Sequence, residues 1–151
     1  MQRNNHGNAT CISYRFHEMP TGKVFVFCTD HEDEVAISQD FRRHLKDADL
    51  AIMDGQYDHQ RYMKQTARFG HGTPHGVIKN ALIAGVRRIG ITHHDPRSTD
   101  QFLREKIIPE AIDALIRMAA DEEFRNMNNA PEFVLMPDNI FLCHEYMEVE
   151  V

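Results

Sequence analysis

Three short apolar runs set what this chain can fold into: Val24-Phe25-Val26-Phe27-Cys28, Leu50-Ala51-Ile52-Met53 and Ile89-Gly90-Ile91. Each is short for a helix and shows no polar alternation, so each reads as a buried strand covered on both sides. Each also ends abruptly in a polar cluster. The first runs into Thr29-Asp30-His31-Glu32, the second into Asp54-Gly55-Gln56-Tyr57, the third into Thr92-His93-His94-Asp95-Pro96. Pro96 cannot continue a central strand, and it pushes Asp95 into an extended or turn conformation. Asp30, Asp54 and His93 therefore fall at strand ends, where open α/β sheets bind their ligands. Imidazole with carboxylate suits a divalent metal. A polar loop closed by proline is the competing reading of the same residues.

The remaining segments supply layers around these runs. Residues 11–17 alternate, with Ile12, Tyr14 and Phe16 on one face, as a strand with one side more buried does. Pro20-Thr21-Gly22 turns the chain into the first apolar run. Asp40 can cap a short helix over residues 40–46, with Phe41 and Leu45 toward the core. A polar connection over residues 58–72 holds a helical turn around 61–68. Thr73 and Pro74 then suit the N-cap and first position of a helix whose stripe is Val77, Ile78, Ala81 and Leu82, ended by Gly85. Ser98 and Gln101 have capping-box spacing and open a helical pattern to about residue 123, which Pro109 should kink or divide. Residues 132–136 and 140–146 read as two strands joined at Pro137-Asp138-Asn139. The fold class is α/β, a mixed sheet with helices on one face, in a single domain over residues 1–151.

Composition narrows the function classes. The 151 residues are 42% apolar and 26% charged, as in soluble globular domains. A net charge of −6 argues against a broad basic surface for nucleic acid and leaves room for a local one. Cys11, Cys28 and Cys143 form no Cys-x-x-Cys pair and no disulfide framework, so they read as free thiols of a cytoplasmic protein. The first eight residues lack the apolar core of a secretory signal, and no apolar run approaches a membrane span.

Five motifs in order carry a family resemblance: His6 ahead of Tyr14-Arg15-Phe16, then Thr29-Asp30, Asp49-Leu50-Ala51-Ile52-Met53-Asp54, Gly70-His71-Gly72-Thr73, and residues 84–93 ending in Thr92-His93. Together they resemble the C-terminal half of the metallo-β-lactamase superfamily, in its phosphodiesterase-type branch of ribonuclease Z-like and cyclic-phosphodiesterase-like proteins. The resemblance implies half of an αββα sandwich and a metal-dependent hydrolase acting on a phosphodiester, a cyclic nucleotide or an RNA end. It implies Asp30 as a catalytic ligand bridging two metals, with His6 and His93 as further ligands, and zinc ahead of manganese or iron. His71 would orient a phosphate or act as a general acid; it serves equally well as a cap for the loop before Thr73. Asp54 would brace a ligand from behind or simply form a turn, and His94 and Asp95 would stand behind the ligands.

Two departures bear on activity. Gly72 stands where the branch has serine, and the superfamily's His-x-His-x-Asp-His motif is absent. Each metal would keep two protein ligands, so weak metal binding and little activity are expected of the chain alone. Half a sandwich also leaves an apolar sheet face to cover, by a second copy of the chain or by a separate N-terminal half. A non-catalytic, self-associating remnant of the fold is the rival function, and another α/β fold with a one-metal site of its own is the rival architecture.

Overall fold

The apolar runs become the centre of one sheet. The computed structural model describes residues 1–6, 9–32, 37–132 and 134–151, with residues 2–6 described by backbone alone. In it β3 (Val24–Cys28), β4 (Leu50–Asp54) and β5 (Ile89–Thr92) lie parallel and adjacent. β2 (Ala9–His17) pairs antiparallel with β3 and with β1 (Gln2–His6), a strand absent from the sequence reading. β6 (Ile140–Leu142) extends the sheet parallel to β5, and the six strands run in chain order. The links between the parallel strands are helical: α1 (Gln39–Leu45), then α2 (His59–Arg61) and α3 (Pro74–Ala84), then α4 (Asp100–Phe102), α5 (Ile108–Ala120) and α6 (Glu122–Asn128).

Register decides which side chains meet the helices. Val26, Ala51, Ile89 and Ile140 stand abreast across four strands, and so do Cys28, Met53 and Ile91. All are buried, and they pack with Val77, Ile78, Ala81 and Leu82 of α3 and Ala111, Ala114 and Leu115 of α5. Each such Leu, Ile or Val contributes about 1.5–3 kcal/mol on burial.

The alternate positions point the other way. Phe25 lies beside Leu50, and Phe27 beside Ile52 and Tyr14, while Gly90 lies between Ile52 and Phe141. This face is open at the β2 side, with Tyr14 42%, Phe16 53% and Phe27 40% exposed. The expectation that β3 is covered on both sides is therefore corrected: Val24, Val26 and Cys28 pack into the helix-covered core, and Phe27 on the other face is exposed. Phe16 stacks with Tyr14 at 6.2 Å and with Phe25 at 5.7 Å along the open face. The C-terminal residues cross one end of it. Arg88 donates to the Glu150 carbonyl, and Glu150 and Val151 border a cavity of about 400 Å³ with Phe16 and Phe25.

Three local expectations shift. Ser38, not Asp40, caps α1 by accepting the Phe41 N–H, and Thr99, not Ser98, caps α4. In each case a second capping residue stands close by in the sequence. Pro109 follows a π-turn over Leu103–Ile107, where the Ile108 N–H reaches back to the Leu103 carbonyl. The wider turn admits a proline that lacks an N–H of its own. Finally, the two closing strands are not a hairpin. Residues 137–139 form a 3₁₀ turn and only Ile140–Leu142 pairs, parallel to β5. Residues 132 and 134–136 form no strand, and Leu135 is buried in the core instead; Phe133 lies outside the described residues.

Candidate metal centre

Three strand ends meet on one edge of the sheet. Asp30 follows β3 by two residues, Asp54 ends β4, and His93 follows β5 directly. Asp30 and His93 both hold left-handed backbone, at φ 52° and 61°. Aspartate and histidine enter that region more readily than most residues, and the local cost is of order 1 kcal/mol. The turn brings the imidazole of His93 back toward Asp30, with Nε2 3.5 Å from Oδ1.

A loop delivers the third group. The polar connection forms α2 and a π-turn over Tyr62–Thr66 before reaching His71. Glu32 pins this loop. Its buried carboxylate accepts from the Tyr62 hydroxyl at 2.8 Å, from the Gly70 N–H at 3.0 Å and from the Arg68 N–H. Gly72 then lies against β4, where an added Cβ would stand 2.5 Å from the Asp54 carbonyl oxygen. The serine of the family pattern has no room here, so this departure follows from local packing. Thr73 caps α3 by accepting the Gly76 N–H, and Pro74 takes the first turn as expected.

In this geometry His71 Nδ1 donates to Asp54 Oδ2 at 2.8 Å, and the Asp54 carboxylate is fully buried. The His71 ring stacks on His93 at 4.8 Å and meets the edge of Tyr57 at 6.1 Å. Its pKa is raised above the ordinary value, chiefly by the Asp54 hydrogen bond, against the opposing effect of burial. Cys11 reaches Asp30 Oδ2 at 3.7 Å, and burial and then the Asp30 charge push its thiol pKa up.

Asp30, His71 and His93 each offer a ligand atom, and the three atoms lie within 4.8 Å of one another. Two donors bound to one zinc at about 2.0–2.1 Å sit roughly 3.4 Å apart in a tetrahedron. The Asp30–His93 separation matches that edge, so the donor set fits a divalent ion. The structure thus gathers a donor trio containing His71, where the sequence reading placed His6. His6 ends β1 opposite Ala9, and its side chain lies outside the described residues.

The residues expected behind the ligands divide. Asp54 touches His71 directly. His94 Nε2 donates to the Cys143 carbonyl at 3.3 Å, tying the β5 end to the C-terminal segment. Asp95 pairs with Arg61 and Arg97. Burial would raise the Asp95 carboxyl, yet the Arg97 hydrogen bonds and the two guanidinium charges outweigh it and hold its pKa below the usual range. Arg61 in turn lies over the Tyr57 ring at 5.0 Å, so Asp95 braces His71 through two intermediaries. Glu32 and Tyr57 were not singled out in the sequence. Membership of a polar cluster after a buried strand, beside Asp30 for the first and Asp54 for the second, was the only signal for either.

No protein-family model matches the sequence, and no curated protein matches it. Solved structures do match. Over 63% of this chain, the fold is similar to 35% of human tRNase Z, short form, at TM-score 0.52 and 22% identity. Over 94% of this chain, it is similar to 44% of the metallo-β-lactamase fold protein YhfI from Bacillus subtilis, at TM-score 0.54 and 15% identity. The architecture is that of the metallo-β-lactamase fold. The chain spans less than half the length of either structure it matches.

Proposed function

We propose that this chain is the C-terminal half of a metal-dependent phosphodiester hydrolase, and that the meeting of Asp30, His71 and His93 at one sheet edge is its catalytic centre. The observation that carries this reading is the donor trio with Asp54 fixed behind it. Asp30 and His93 are the ligands, joined by His6, and zinc suits two imidazoles and a carboxylate best, with manganese or iron as alternatives. A divalent ion bound there supplies Lewis-acid polarisation of the phosphoryl group and a water of lowered pKa. His71 acts as the general acid. Asp54 holds its Nδ1–H, so the remaining ring nitrogen faces the reaction with a proton for the departing oxygen. As water adds to phosphorus it loses a proton to solvent, and as the ester P–O bond breaks the His71 proton neutralises the leaving alkoxide.

The open sheet face supports a partner, either a second copy or a separate N-terminal half, whose ligands complete the site. Cys11, Cys28 and Cys143 are thiols and not disulfides, which favours the cytoplasm. Among the described residues no helix is long and apolar enough to cross a membrane.

The test is zinc affinity in single variants, read beside hydrolysis of bis(4-nitrophenyl) phosphate. Asp30→Asn and His93→Gln each lower affinity at least tenfold. His71→Gln keeps the zinc and loses whatever turnover the wild type has. Loss of zinc from the His71 variant would make it a ligand instead, and unchanged affinity in the first two would overturn the centre.

A further inference from the structure

The sulfur of Cys11 stands against the candidate centre and has no part in the reaction proposed above. Register brings it there. β2 runs antiparallel to β3, with Tyr14 opposite Phe27 and Arg15 opposite Val26. Carried past the last paired rung, the same register sets Cys11 opposite Asp30. Cys11 also shares its side of β2 with the buried Ser13, so it faces the helix layer and not the open face. β1 lies one strand further out, where Asn4 is opposite Cys11 and His6 is opposite Ala9. Of the donor residues on β1 and β2, Cys11 thus has the backbone position beside Asp30.

The two carboxylate oxygens of Asp30 have different neighbours. His93 Nε2 is 3.5 Å from Oδ1, and Cys11 Sγ is 3.7 Å from Oδ2. A sulfur and an oxygen bound to one zinc at about 2.3 and 2.0 Å sit roughly 3.5 Å apart in a tetrahedron. The Cys11–Asp30 separation is close to that edge. Catalytic zinc normally keeps three protein ligands and one open position. With His71 as the acid, Asp30 and His93 leave that set one short among the described side chains. As a hydrogen-bond donor alone the thiol adds little, because S–H donates weakly and the Asp30 carboxylate, 27% exposed, also reaches water.

Resting on the metal-hydrolase reading, we infer that Cys11 is a metal ligand of this centre. Its Sγ lies outside the three donors gathered within 4.8 Å, so it turns about the Cα–Cβ bond toward the ion. As the sulfur–metal bond forms, the thiol proton leaves to solvent. A thiolate beside imidazole and carboxylate selects zinc over manganese.

The test is anaerobic titration of the full chain with cobalt(II), read by absorption. The wild type develops the visible bands of bound cobalt and, with them, the intense near-ultraviolet band of a thiolate–cobalt bond. Cys11→Ser keeps the visible bands, loses the near-ultraviolet band and binds about tenfold or more weakly. Cys143→Ser keeps the whole wild-type spectrum, and circular dichroism checks the fold of both variants. A second measurement needs no variant: zinc slows iodoacetamide labelling of Cys11 in the wild type, read by peptide mass spectrometry, and leaves Cys143 unchanged. Bound cobalt without the near-ultraviolet band, a band that survives in Cys11→Ser, or Cys11 labelling indifferent to zinc overturns the ligand while the Asp30 and His93 centre stands. A cobalt–thiolate band without hydrolysis of bis(4-nitrophenyl) phosphate fails the hydrolase reading and leaves the ligand standing. No cobalt bound at millimolar concentration overturns both.

Discussion

At the residue scale the proposed centre turns on a buried carboxylate. Asp54 has one oxygen on His71 and the other on the Gln56 N–H at 3.1 Å, with its side chain fully buried. Asparagine in its place keeps the size and loses the charge that orients the imidazole. Asp54→Asn should therefore lower turnover about 10–100-fold and leave zinc affinity near the wild-type value, as loss of the group that orients a general acid does. Metal titration with a parallel activity assay checks this, and an unaltered variant would show that Asp54 only shapes the turn. Asp30, Asp54 and His93 were legible in the sequence because each ends an apolar run. His71 was joined to them only through the family resemblance, since the intervening loop has no periodicity from which to place it. Gly72 was legible only as a departure from a pattern. Its reason, contact with the Asp54 and His31 carbonyls, is tertiary.

At the element scale, two fixings hold the site in place. Glu32 joins the end of β3 to the loop over residues 62–70 through three hydrogen bonds. Glu32→Gln leaves buried donors poorly matched and should cost about 1–3 kcal/mol in urea unfolding; a smaller loss would mean that the loop is held elsewhere. The second is α1 against β2, where the buried Ser13 hydroxyl meets His44 Nε2 at 2.9 Å. Burial, helped by the N-terminal amine and Arg15, lowers the His44 pKa to about 4. The unfolded chain protonates near pH 6.5, before the folded one does. The stability that neutral His44 contributes is full above that value and is lost as pH falls toward 4, by up to about 1.4 kcal/mol per pH unit. Unfolding measured across this window should be less pH-dependent in His44→Gln; an identical slope would assign the acid sensitivity to other groups. Helices α1, α3 and α5 and the central strands were legible from periodicity and caps. The path of residues 134–142 was not, because apolar residues such as Leu135 pack in a core as well without a strand as with one.

At the scale of the whole molecule, one sheet face is layered and the other is open. Tyr14, Phe16 and Phe27 form an aromatic strip that the C-terminal residues leave bare. Such a strip favours association. The purified chain should elute above its 17.5 kDa monomer mass at micromolar concentration, and Phe16→Glu should return it toward monomer. A wild type that stays monomeric would remove the partner from the proposal while leaving the donor trio untouched. The open face was foreseeable from three runs apolar on both sides and helices enough for one. The path of residues 144–151 was not, because they carry no periodic pattern.

The most direct measurement is the zinc content of the purified chain at equilibrium dialysis against excess zinc, enough to fill the weak site expected of the chain alone, with the zinc of the outer buffer subtracted. Close to one divalent ion per chain, lost in Asp30→Asn and His93→Gln, is the predicted result. A chain that keeps no zinc, manganese or iron under these conditions, with its fold intact by circular dichroism, would contradict the metal centre.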